Sequence, residues 1–399
     1  MQFGFRLIWI TASGGLVSKS DVLIDSLVFN IFSQLYGDNI VVTEQCHNVP
    51  SSHRFLIIPG KHGLRWIVPA EPALGWPVLQ QWRPYDVRSI LKWNLLGVAY
   101  RWGRLGSLPA IYKVGIEGVL SLLKIFPESE NAGRIIPVIY VGTSGPARKA
   151  VVALVGQEDT RPYAIVKLPL GEMASKAILH EADMLERLAV FREGIAPKLF
   201  FVDELGGISI QQMVTGKLSG RKLTRQHIDL LCLLRSGKIT TIALFCESLL
   251  ERIREIHLPD APVREHITQL VEVLADSTPL PAVWVHGDFA PWNLKLTEQG
   301  GGAIDWEEAQ ENALPLIDLL YFFAIQGYLF GGKHDFINNF FNHHLVQRYL
   351  EVFELTPHVA GKIALLGLIG FWLQRVQRGE MRHARFLFLA IAAMREKLS

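Results

Sequence analysis

The chain has 399 residues and a formal net charge of +2, so its length allows two or three domains and its charge gives no reason to expect a nucleic-acid partner. Hydrophobic residues make up 49% of the sequence, yet the most apolar late run, Ile363 to Leu373, is shorter than the roughly 20 residues that a membrane span needs. Three cysteines without a regular spacing favour reduced thiols in a cytoplasmic protein over a disulfide or metal framework.

Residues 1–130 show no recognisable chemistry and are predicted to form a separate small α/β domain of unknown role. Two β-rich runs, Arg54–Pro59 and Leu64–Val68, flank a glycine turn and predict a hairpin. A loop interrupted by proline and glycine is expected from Pro69 to Pro84.

A helix is predicted from about Asp86 to Arg104, because apolar residues recur there at helical spacing. Its polar face is basic. A basic amphipathic helix with tryptophans could touch an anionic membrane surface, but we favour the alternative of a solvated face or one docked on another domain. The recurring apolar positions are Val87, Ile90, Leu91, Leu95, Val98, Trp102 and Leu105.

A linker at Glu128–Gly133 precedes three predicted strands, Ile135–Val141, Lys149–Val155 and Tyr163–Leu168. A turn of small residues joins the first two strands. Such a turn can direct backbone N–H groups and a hydroxyl at nucleotide phosphates, although an ordinary hairpin turn has the same composition. The candidate phosphate-binding residues are Gly142, Ser144 and Gly145.

Lys167 lies among apolar neighbours in the third of these strands. A lysine there costs desolvation energy unless its ammonium group meets an anion, so it is either a solvated residue of an edge strand or a phosphate ligand. The next predicted helix, from about Glu172 to Ala189, carries Glu181 and, five residues later, Glu186.

The stretch from Val283 to Leu294 places His286, Asp288 and Asn293 on a loop between two apolar runs. A second carboxylate, Asp305, ends the following strand. This layout suits phosphoryl transfer, because one carboxylate can accept a proton from the acceptor hydroxyl while an amide oxygen and a second carboxylate bind Mg²⁺. The spacing alone is a weak signal, and a polar loop between strands is the alternative.

The motif from His286 to Asn293 reads His-Gly-Asp-Phe-Ala-Pro-Trp-Asn, and Ile304-Asp-Trp-Glu307 follows it. In this order, after a lysine strand and a glutamate helix, the chain resembles the aminoglycoside phosphotransferase and choline kinase-like family. The resemblance implies an α+β, two-lobed protein-kinase-like fold behind the N-terminal domain, with a β-rich N-lobe at residues 135–216 and a helical C-lobe at residues 217–399.

The resemblance also implies the roles of the catalytic residues. Asp288 would be the catalytic base, and His286 would brace its loop rather than react. Asn293 and Asp305 would hold Mg²⁺. Asp318 matches a family aspartate, whose expected role is to cap a helix or anchor the catalytic loop.

ATP is the nucleotide that the resemblance implies. Glu181 would orient Lys167 onto the phosphates, and Glu186 is the alternative partner. Main-chain groups of the hinge at Gln212 and Val214 would hold the adenine. Gln212 and Met213 depart from the family pattern at the hinge, which leaves the purine preference open.

The acceptor is expected to be a hydroxyl of a neutral or anionic small molecule, such as a sugar or polyol. From Leu316 to Ser399 the chain has six acidic and nine basic residues, which does not build a trap for cations. Three alternatives remain: a cationic acceptor as in aminoglycoside or choline kinases, a silent nucleotide-binding scaffold, and a protein kinase. The last is disfavoured because no activation segment follows Asp305.

Overall fold

The chain folds as two compact units in this computed structural model. Unit 1 comprises Met1–Ala182 and Lys198–Met213, and unit 2 comprises Asp183–Pro197 and Val214–Ser399. The structure describes residues 19–37, 40–43, 50, 53–60, 63–82, 84–118, 120–121, 135–256, 261–298, 300–331 and 336–398.

A nine-stranded antiparallel sheet forms the centre of unit 1, with the strand order β1-β4-β2-β3-β5-β6-β7-β9-β8. Its strands are rich in β-branched and aromatic residues, which suit a pleated surface buried on both sides. The strands are β1 (Val41–Thr43), β2 (Arg54–Gly60), β3 (Gly63–Pro69), β4 (Tyr112–Glu117), β5 (Ile135–Val141), β6 (Lys149–Gly156), β7 (Pro162–Pro169), β8 (Leu199–Asp203) and β9 (Ile208–Gln212).

Both faces of this sheet are covered, and the alternation of side chains along each strand supplies both cores. In β2, Phe55 and Ile57 pack in a cluster with α1, whereas Leu56 and Ile58 join a second cluster with α2 and α3. The helices of this part are α1 (Lys19–Tyr36), α2 (Pro72–Leu79), α3 (Val87–Arg101) and α4 (Glu172–Phe191).

The N-terminal segment shares this sheet with the strands predicted for the kinase-like N-lobe. The N-terminal segment contributes helices and strands of its own. Its strand β3 pairs directly with β5, with Trp66 opposite Tyr140 and Ile67 opposite Ile139. The predicted boundary near residues 130–135 therefore falls inside one compact unit, because this pairing covers the edge that β5 would otherwise expose. The predicted linker Glu128–Gly133 lies outside the described residues.

The predicted loop from Pro69 to Pro84 contains a helix, α2. Proline at the first helical position lacks an N–H that would have no partner there, so Pro72 favours the helix start. The next helix, α3, begins after Asp86, whose side chain accepts a hydrogen bond from the N–H of Ser89 at 2.9 Å.

Most of the apolar stripe that predicted α3 does not face the core, although Leu105 at its end is buried. Val87, Leu91, Leu95 and Trp102 are exposed, whereas Tyr100 on the opposite side is fully buried. Helical periodicity shows which residues share a face but not which face is covered.

Unit 2 is mainly helical and includes two small antiparallel sheets, β10-β13-β14 and β11-β12-β15. A β-rich part followed by a helical part confirms the predicted α+β class. The strands are β10 (Lys217–Leu218), β11 (Arg235–Thr240), β12 (Leu280–Val285), β13 (Leu294–Thr297), β14 (Gly300–Ala303) and β15 (Gln310–Ala313).

The helices of unit 2 lie in the segment expected to form a helical C-lobe. The helical run after Phe336 is interrupted at His343, whose Nδ1 accepts a hydrogen bond from Leu345 N–H at 3.2 Å. The helices are α5 (Arg225–Leu233), α6 (Ile242–Glu255), α7 (Ala261–Leu274), α8 (Ile317–Leu329), α9 (Phe336–Asn342), α10 (His344–Val352), α11 (Pro357–Gln377) and α12 (Met381–Leu398).

Helix α11 is long and apolar enough, by length and composition, to cross a membrane, and among the described residues it alone meets that test. Its apolar window is 72% buried within the protein. A core helix has this degree of burial, since its side chains are covered by neighbouring helices.

Candidate active site

The loop between β12 and β13 brings the predicted catalytic residues together in unit 2. It turns at Gly287, which has a φ of +80° and has no room for a Cβ beside the carbonyl oxygen of Glu308. A 3₁₀ turn at Pro291–Asn293 then folds the chain back. Both features make the loop tight enough for Asn293 to reach Asp288.

Asn293 binds Asp288 twice through its amide nitrogen. Its Nδ2 donates to the main-chain oxygen of Asp288 at 2.9 Å and to the carboxylate Oδ2 at 2.8 Å. Both amide hydrogens are thereby directed to Asp288, so the amide oxygen Oδ1 points the other way and can bind a cation. Asn293 thus orients Asp288 and offers an oxygen ligand.

Asp305 follows Ile304, whose N–H donates to the main-chain oxygen of Asn293 at 2.8 Å. Asp305 has a φ of +70°, a left-handed conformation that aspartate tolerates better than most residues. The main chain therefore ties the second predicted metal ligand to the first.

Asn293 and Asp305 fit a magnesium ion by the chemistry of their donor atoms. Mg²⁺ is usually held by one or two carboxylates together with water and substrate phosphates, and the Asn293 amide oxygen adds to such a set. Within the described ranges, no three His, Cys, Asp or Glu side chains cluster as a protein-only metal site. An amide oxygen and a carboxylate leave positions around Mg²⁺ for water and phosphate oxygens.

His286 is fully buried and braces the loop. Its Nε2 lies 2.9 Å from the carbonyl oxygen of Ile304, which can only accept, so Nε2 carries the proton. Its Nδ1 accepts the N–H of Asp288 at 3.2 Å, and its ring packs against Trp306 with centroids 4.5 Å apart. Both ring nitrogens are occupied within the loop, which suits support rather than proton transfer.

Asp318, the second residue of α8, anchors the same loop by binding its main chain. Its two carboxylate oxygens accept the N–H groups of His286 at 2.7 Å and of Gly287 at 2.9 Å. Burial raises the pKa of Asp318 to about 6, and the nearby His286 and the two N–H bonds oppose that rise. The structure thus shows the anchoring role that the sequence left open beside helix capping.

Buried polar groups of helices α8 and α11 lie near Asp288. Burial and the nearby Asp288 carboxylate raise the pKa of Tyr321 well above its usual value. Arg375 donates from Nη2 to the Tyr321 hydroxyl at 2.8 Å and from Nη1 to Glu380 at 3.1 Å. Tyr321 thus lines the pocket beside Asp288 and is held there by Arg375. The sequence did not single out Tyr321, although it lies one helical turn after Asp318 on the same face.

A pocket of about 240 Å³ opens beside Asp288 in unit 2. Four carboxylates and two guanidinium groups line it, together with several aromatic rings. The Arg375 guanidinium pairs with Glu380, and that of Arg378 pairs with Glu308. The lining residues are Asp288, Trp292, Glu307, Glu308, Tyr321, Ile325, Tyr328, Leu329, Arg375, Arg378, Glu380 and His383.

The arginines near the ends of the last two helices are divided between the pocket and the surface. Arg375 and Arg378, near the end of α11, line the pocket. Arg382 and Arg385 on α12 are exposed and lie outside that lining. Helix α12 instead contributes His383, which stacks on Tyr328 with centroids 4.0 Å apart.

In unit 1, Lys167 and Glu181 form a buried ion pair. Lys167 lies on β7 and Glu181 on α4, and the Lys167 Nζ is 2.7 Å and 2.5 Å from the two carboxylate oxygens. They are 4% and 0% exposed, so the carboxylate holds the ammonium group in place rather than leaving it in solvent. The alternative partner, Glu186, is exposed.

The small-residue turn lies between β5 and β6 and is stabilised by Arg148, a residue that the sequence did not indicate. Arg148 donates to the carbonyl oxygens of Gly142 at 3.1 Å and Leu64 at 3.3 Å. Burial lowers the pKa of Arg148, with Arg65 adding to the effect. The tip of the turn, Ser144 and Gly145, is exposed and accessible to a ligand.

The two predicted hinge residues differ in their surroundings. Gln212 ends β9, and its N–H donates to the oxygen of Lys198 at 2.8 Å. That N–H therefore already has a hydrogen-bond acceptor within unit 1. Val214 is half-buried, and at this residue the chain enters unit 2 for the second time.

Lys295 is a further buried polar residue that the sequence did not indicate. It lies on β13, two residues after Asn293, and is 5% exposed. Burial lowers its pKa, because the charged form is poorly solvated there.

The strand with Lys167, the helix with Glu181 and the loop from His286 to Asp305 follow one another in the order expected for a protein-kinase-like fold. Residues 151–333 match the profile of the phosphotransferase enzyme family APH, which confirms the resemblance found in the sequence. The matched segment includes Lys167, Glu181 and the catalytic loop. It ends before α11 and α12, whose residues complete the pocket.

Among curated proteins, none matches this chain. Solved structures with a similar fold include the GDP complex of aminoglycoside 2'-phosphotransferase-IIIa, at 12% identity and a TM-score of 0.44, covering 69% of this chain and 96% of that one. Choline kinase LicA from Streptococcus pneumoniae is 17% identical, with a TM-score of 0.46, over 68% and 99% of the two chains. A macrolide 2'-phosphotransferase type I is 14% identical, with a TM-score of 0.43, over 71% and 99%. Likeness at this level says nothing of the acceptor.

Proposed function

We propose that this protein transfers the terminal phosphate of ATP to a hydroxyl group of a small molecule, with Mg²⁺ as the metal. The observation that carries the proposal is the position of Asp288, which lines the pocket while Asn293 binds one of its carboxylate oxygens. A carboxylate fixed at the wall of a pocket can accept the proton of a bound hydroxyl.

The residues of the loop would have two roles, as the catalytic base and as metal ligands. Asp288 would orient the acceptor hydroxyl and take its proton. Asn293, through Oδ1, and Asp305 would hold the ion. Mg²⁺, when bound, would neutralise negative charge on the phosphates.

The nucleotide phosphates would be bound by residues of unit 1. Lys167 is the candidate phosphate ligand, since Glu181 fixes its ammonium group without exposing it to solvent. The turn at Gly142, Ser144 and Gly145 would add backbone N–H groups and one hydroxyl. Gln212 and Val214 remain the proposed contacts to the base.

A silent nucleotide-binding scaffold is the rival function. Scaffolds of this kind need no ordered base, whereas here Asn293 binds the Asp288 carboxylate and Asp318 anchors its loop. Such ordering of a carboxylate has a use in proton transfer, so we favour catalysis.

We propose a small, neutral polyhydroxylated acceptor such as a sugar or polyol. The pocket volume of about 240 Å³ lies below the range of about 300 to 1,000 Å³ typical of drug-sized ligands. Four carboxylates against two paired guanidinium groups disfavour an anionic acceptor. The hydroxyl groups of such an acceptor can donate to these carboxylates, and its C–H groups can pack on the rings of Trp292 and Tyr328.

A cationic acceptor is the second candidate, and the same lining supports it. The carboxylates exceed the guanidinium groups by two, and aromatic rings stand among them, a combination that attracts ammonium groups. The charge excess counted along the sequence did not indicate this, because Arg382 and Arg385 are exposed while Glu307 and Glu308 lie before the segment that was counted.

The substitution Asp288→Asn tests the proposed base. The amide is nearly isosteric but a poor base, so transfer should slow by about 10² to 10⁴ while ATP binding is kept. The measurements are single-turnover phosphate transfer and the nucleotide dissociation constant. Wild-type turnover in the variant would contradict the assignment.

Magnesium titrations test the metal ligands. Asn293→Ala and Asp305→Ala should each raise the Mg²⁺ concentration needed for half-maximal transfer, because each removes an oxygen ligand. Nucleotide binding that is independent of Mg²⁺ in the wild type and in both variants would favour the scaffold.

A panel of acceptors distinguishes the two acceptor classes. ATP consumption would be measured with monosaccharides, polyols, amino alcohols, aminoglycosides and sugar phosphates at equal concentration. Turnover that is highest with a neutral polyol supports the proposal, and turnover that is highest with an amine supports the second candidate.

A further inference from the structure

Helix α3 presents an exposed apolar stripe on the surface of unit 1. Val87 is 83% exposed, Leu91 62%, Leu95 64% and Trp102 78%. These residues recur at intervals of four or seven along the chain and therefore form one line along the helix. Bulky apolar side chains in a continuous exposed line mark an interaction surface, unlike single ones.

The opposite side of α3 already packs against the protein. Tyr100 is fully buried, and its hydroxyl donates to the carbonyl oxygen of Pro69 at 2.7 Å. Gly97 lies so close to the ring of Trp76 that a Cβ would be 2.9 Å from it. These contacts fix the rotation of α3 about its axis, so the stripe faces outward in the folded protein.

Basic residues flank the stripe on both sides. Arg88 and Lys92 each follow a stripe residue by one position and lie along one side, whereas Arg101 precedes Trp102 and lies along the other. All three are exposed, as is Arg104 just beyond the helix. Helix α3 itself contains no acidic residue. The surface is therefore apolar along its centre and positively charged along its edges.

We propose that α3 docks this protein on the surface of an anionic phospholipid bilayer. The stripe would enter the boundary between headgroups and acyl chains, and the basic residues would remain among the negatively charged headgroups. Trp102 would lie at the interface, where tryptophan is enriched in membrane proteins.

A lipid surface matches this shape and charge better than a protein partner does. The stripe stands on a single helix about 22 Å long, at 1.5 Å per residue, and is convex. A protein partner would need an apolar groove with acidic rims of that length. A bilayer adapts to any convex apolar surface and supplies negative charge on all sides.

The test measures binding of the full-length protein to vesicles by co-sedimentation. One set of vesicles is phosphatidylcholine alone, and the other contains equal parts of phosphatidylcholine and phosphatidylglycerol. We expect binding to the anionic vesicles that weakens as salt is added, because surface charges are screened. The double variant Leu91→Gln, Leu95→Gln should bind at least about tenfold more weakly, and Arg88→Gln, Lys92→Gln roughly tenfold more weakly.

The matched control is Leu205→Gln, which makes the same change at a fully exposed leucine of unit 1. It should bind as the wild type does. The proposal fails if the wild type does not bind anionic vesicles, or if the stripe variants bind unchanged. It also fails if the stripe variants lower the mass of the protein in solution, since a second copy of the chain would then cover the stripe.

Discussion

At the scale of single residues, the site is organised by groups that hold Asp288 rather than by groups that would react. Asn293 binds its side chain, Tyr321 lies beside it, His286 accepts its N–H, and Asp318 anchors the loop that carries it. Each of these groups is buried or half-buried, so water competes little for its hydrogen bonds. Asp288 is thereby restricted to few conformations before any acceptor binds.

The Tyr321 hydroxyl should contribute to catalysis through Asp288. Tyr321→Phe removes the hydroxyl that lines the pocket beside Asp288 and leaves Arg375 without one of its acceptors. Hydrogen bonds to charged groups are worth about 1.5 to 3 kcal/mol, so we expect kcat to fall by roughly 10- to 100-fold. Steady-state kinetics would show this fall with the KM for ATP nearly unchanged.

The control for this prediction is Tyr328→Phe, which alters another tyrosine of α8 in the same pocket. The phenylalanine ring retains the stacking on His383. A loss of kcat equal to that of Tyr321→Phe would indicate a general effect on the pocket and contradict the role of the Tyr321 hydroxyl.

Asp318 should make the stability of unit 2 depend on pH. Burial raises its pKa from 3.8 to about 6, so the folded protein binds this proton more tightly than the unfolded chain does. The contribution of Asp318 to the free energy of unfolding therefore falls by about 3 kcal/mol as pH rises from about 4 to about 6. Above pH 6 this contribution stays constant. In Asp318→Asn this change is absent.

The measurement is the free energy of unfolding of the wild type and of Asp318→Asn across this pH range. The wild type should lose stability relative to the variant as pH rises. A difference between the two proteins that stays constant with pH would show that the carboxyl titrates normally.

At the scale of elements, the sequence predicted the features that are held by interactions between neighbouring residues. The residues from His286 to Asn293 were predicted to form one loop, and its hydrogen bonds, including the one from Asn293 to Asp288, join positions close together in the sequence. The exposed side of α3 could not be predicted, because a repeat of apolar residues indicates a shared face and not its environment. Arg375 and Glu380 reach the pocket through the packing of distant helices, which a motif does not encode.

The C-terminal ends of helices α10 and α11 have the same hydrogen-bonding pattern but a different residue at the left-handed position. After α11, Gly379 is left-handed at φ +70°, and Glu380 N–H donates to Arg375 O at 2.9 Å. After α10, Glu354 takes the same position at φ +54°, and Leu355 N–H donates to Leu350 O at 2.9 Å. Glycine adopts this conformation without the cost that a Cβ imposes.

Glu354→Gly should therefore stabilise the protein. A side chain costs about 1 to 2 kcal/mol in the left-handed region, and the added freedom of glycine in the unfolded chain offsets about half of that. Glu354 is exposed, so little packing is lost. We expect a gain of about 0.5 to 1 kcal/mol, measured as a higher urea midpoint of unfolding.

Gly379→Ala makes the reverse change at the matched position and should lower stability by about 1 kcal/mol. It should also disturb the pocket, because this helix end places Glu380 against Arg375. If both substitutions shift the midpoint in the same direction, the left-handed residue does not determine the stability of these helix ends.

At the scale of the whole molecule, the organisation of unit 1 rests on pairings between distant parts of the chain. Strand β3 pairs with β5, and both clusters that cover the sheet draw on residues from before and after the predicted boundary. Strands β2, β3, β5, β6 and β7 were predicted from their own composition, whereas β1 and β4 were not. The order of the strands in the sheet was not predictable, because β-pairing between distant segments leaves no local pattern.

Deleting residues 1–130 should therefore prevent unit 1 from folding. The deletion removes β3 and exposes the unpaired edge of β5, together with core residues such as Val138 and Ala153 that pack against the N-terminal helices and strands. An exposed edge above an uncovered apolar face favours aggregation. We expect residues 131–399 to be insoluble where the full chain is soluble, and co-expression of residues 1–130 as a separate fragment to restore solubility, because the missing strand and core would then be supplied. Soluble, monomeric protein from residues 131–399 that unfolds cooperatively on its own would show that the N-terminal segment is dispensable for the fold.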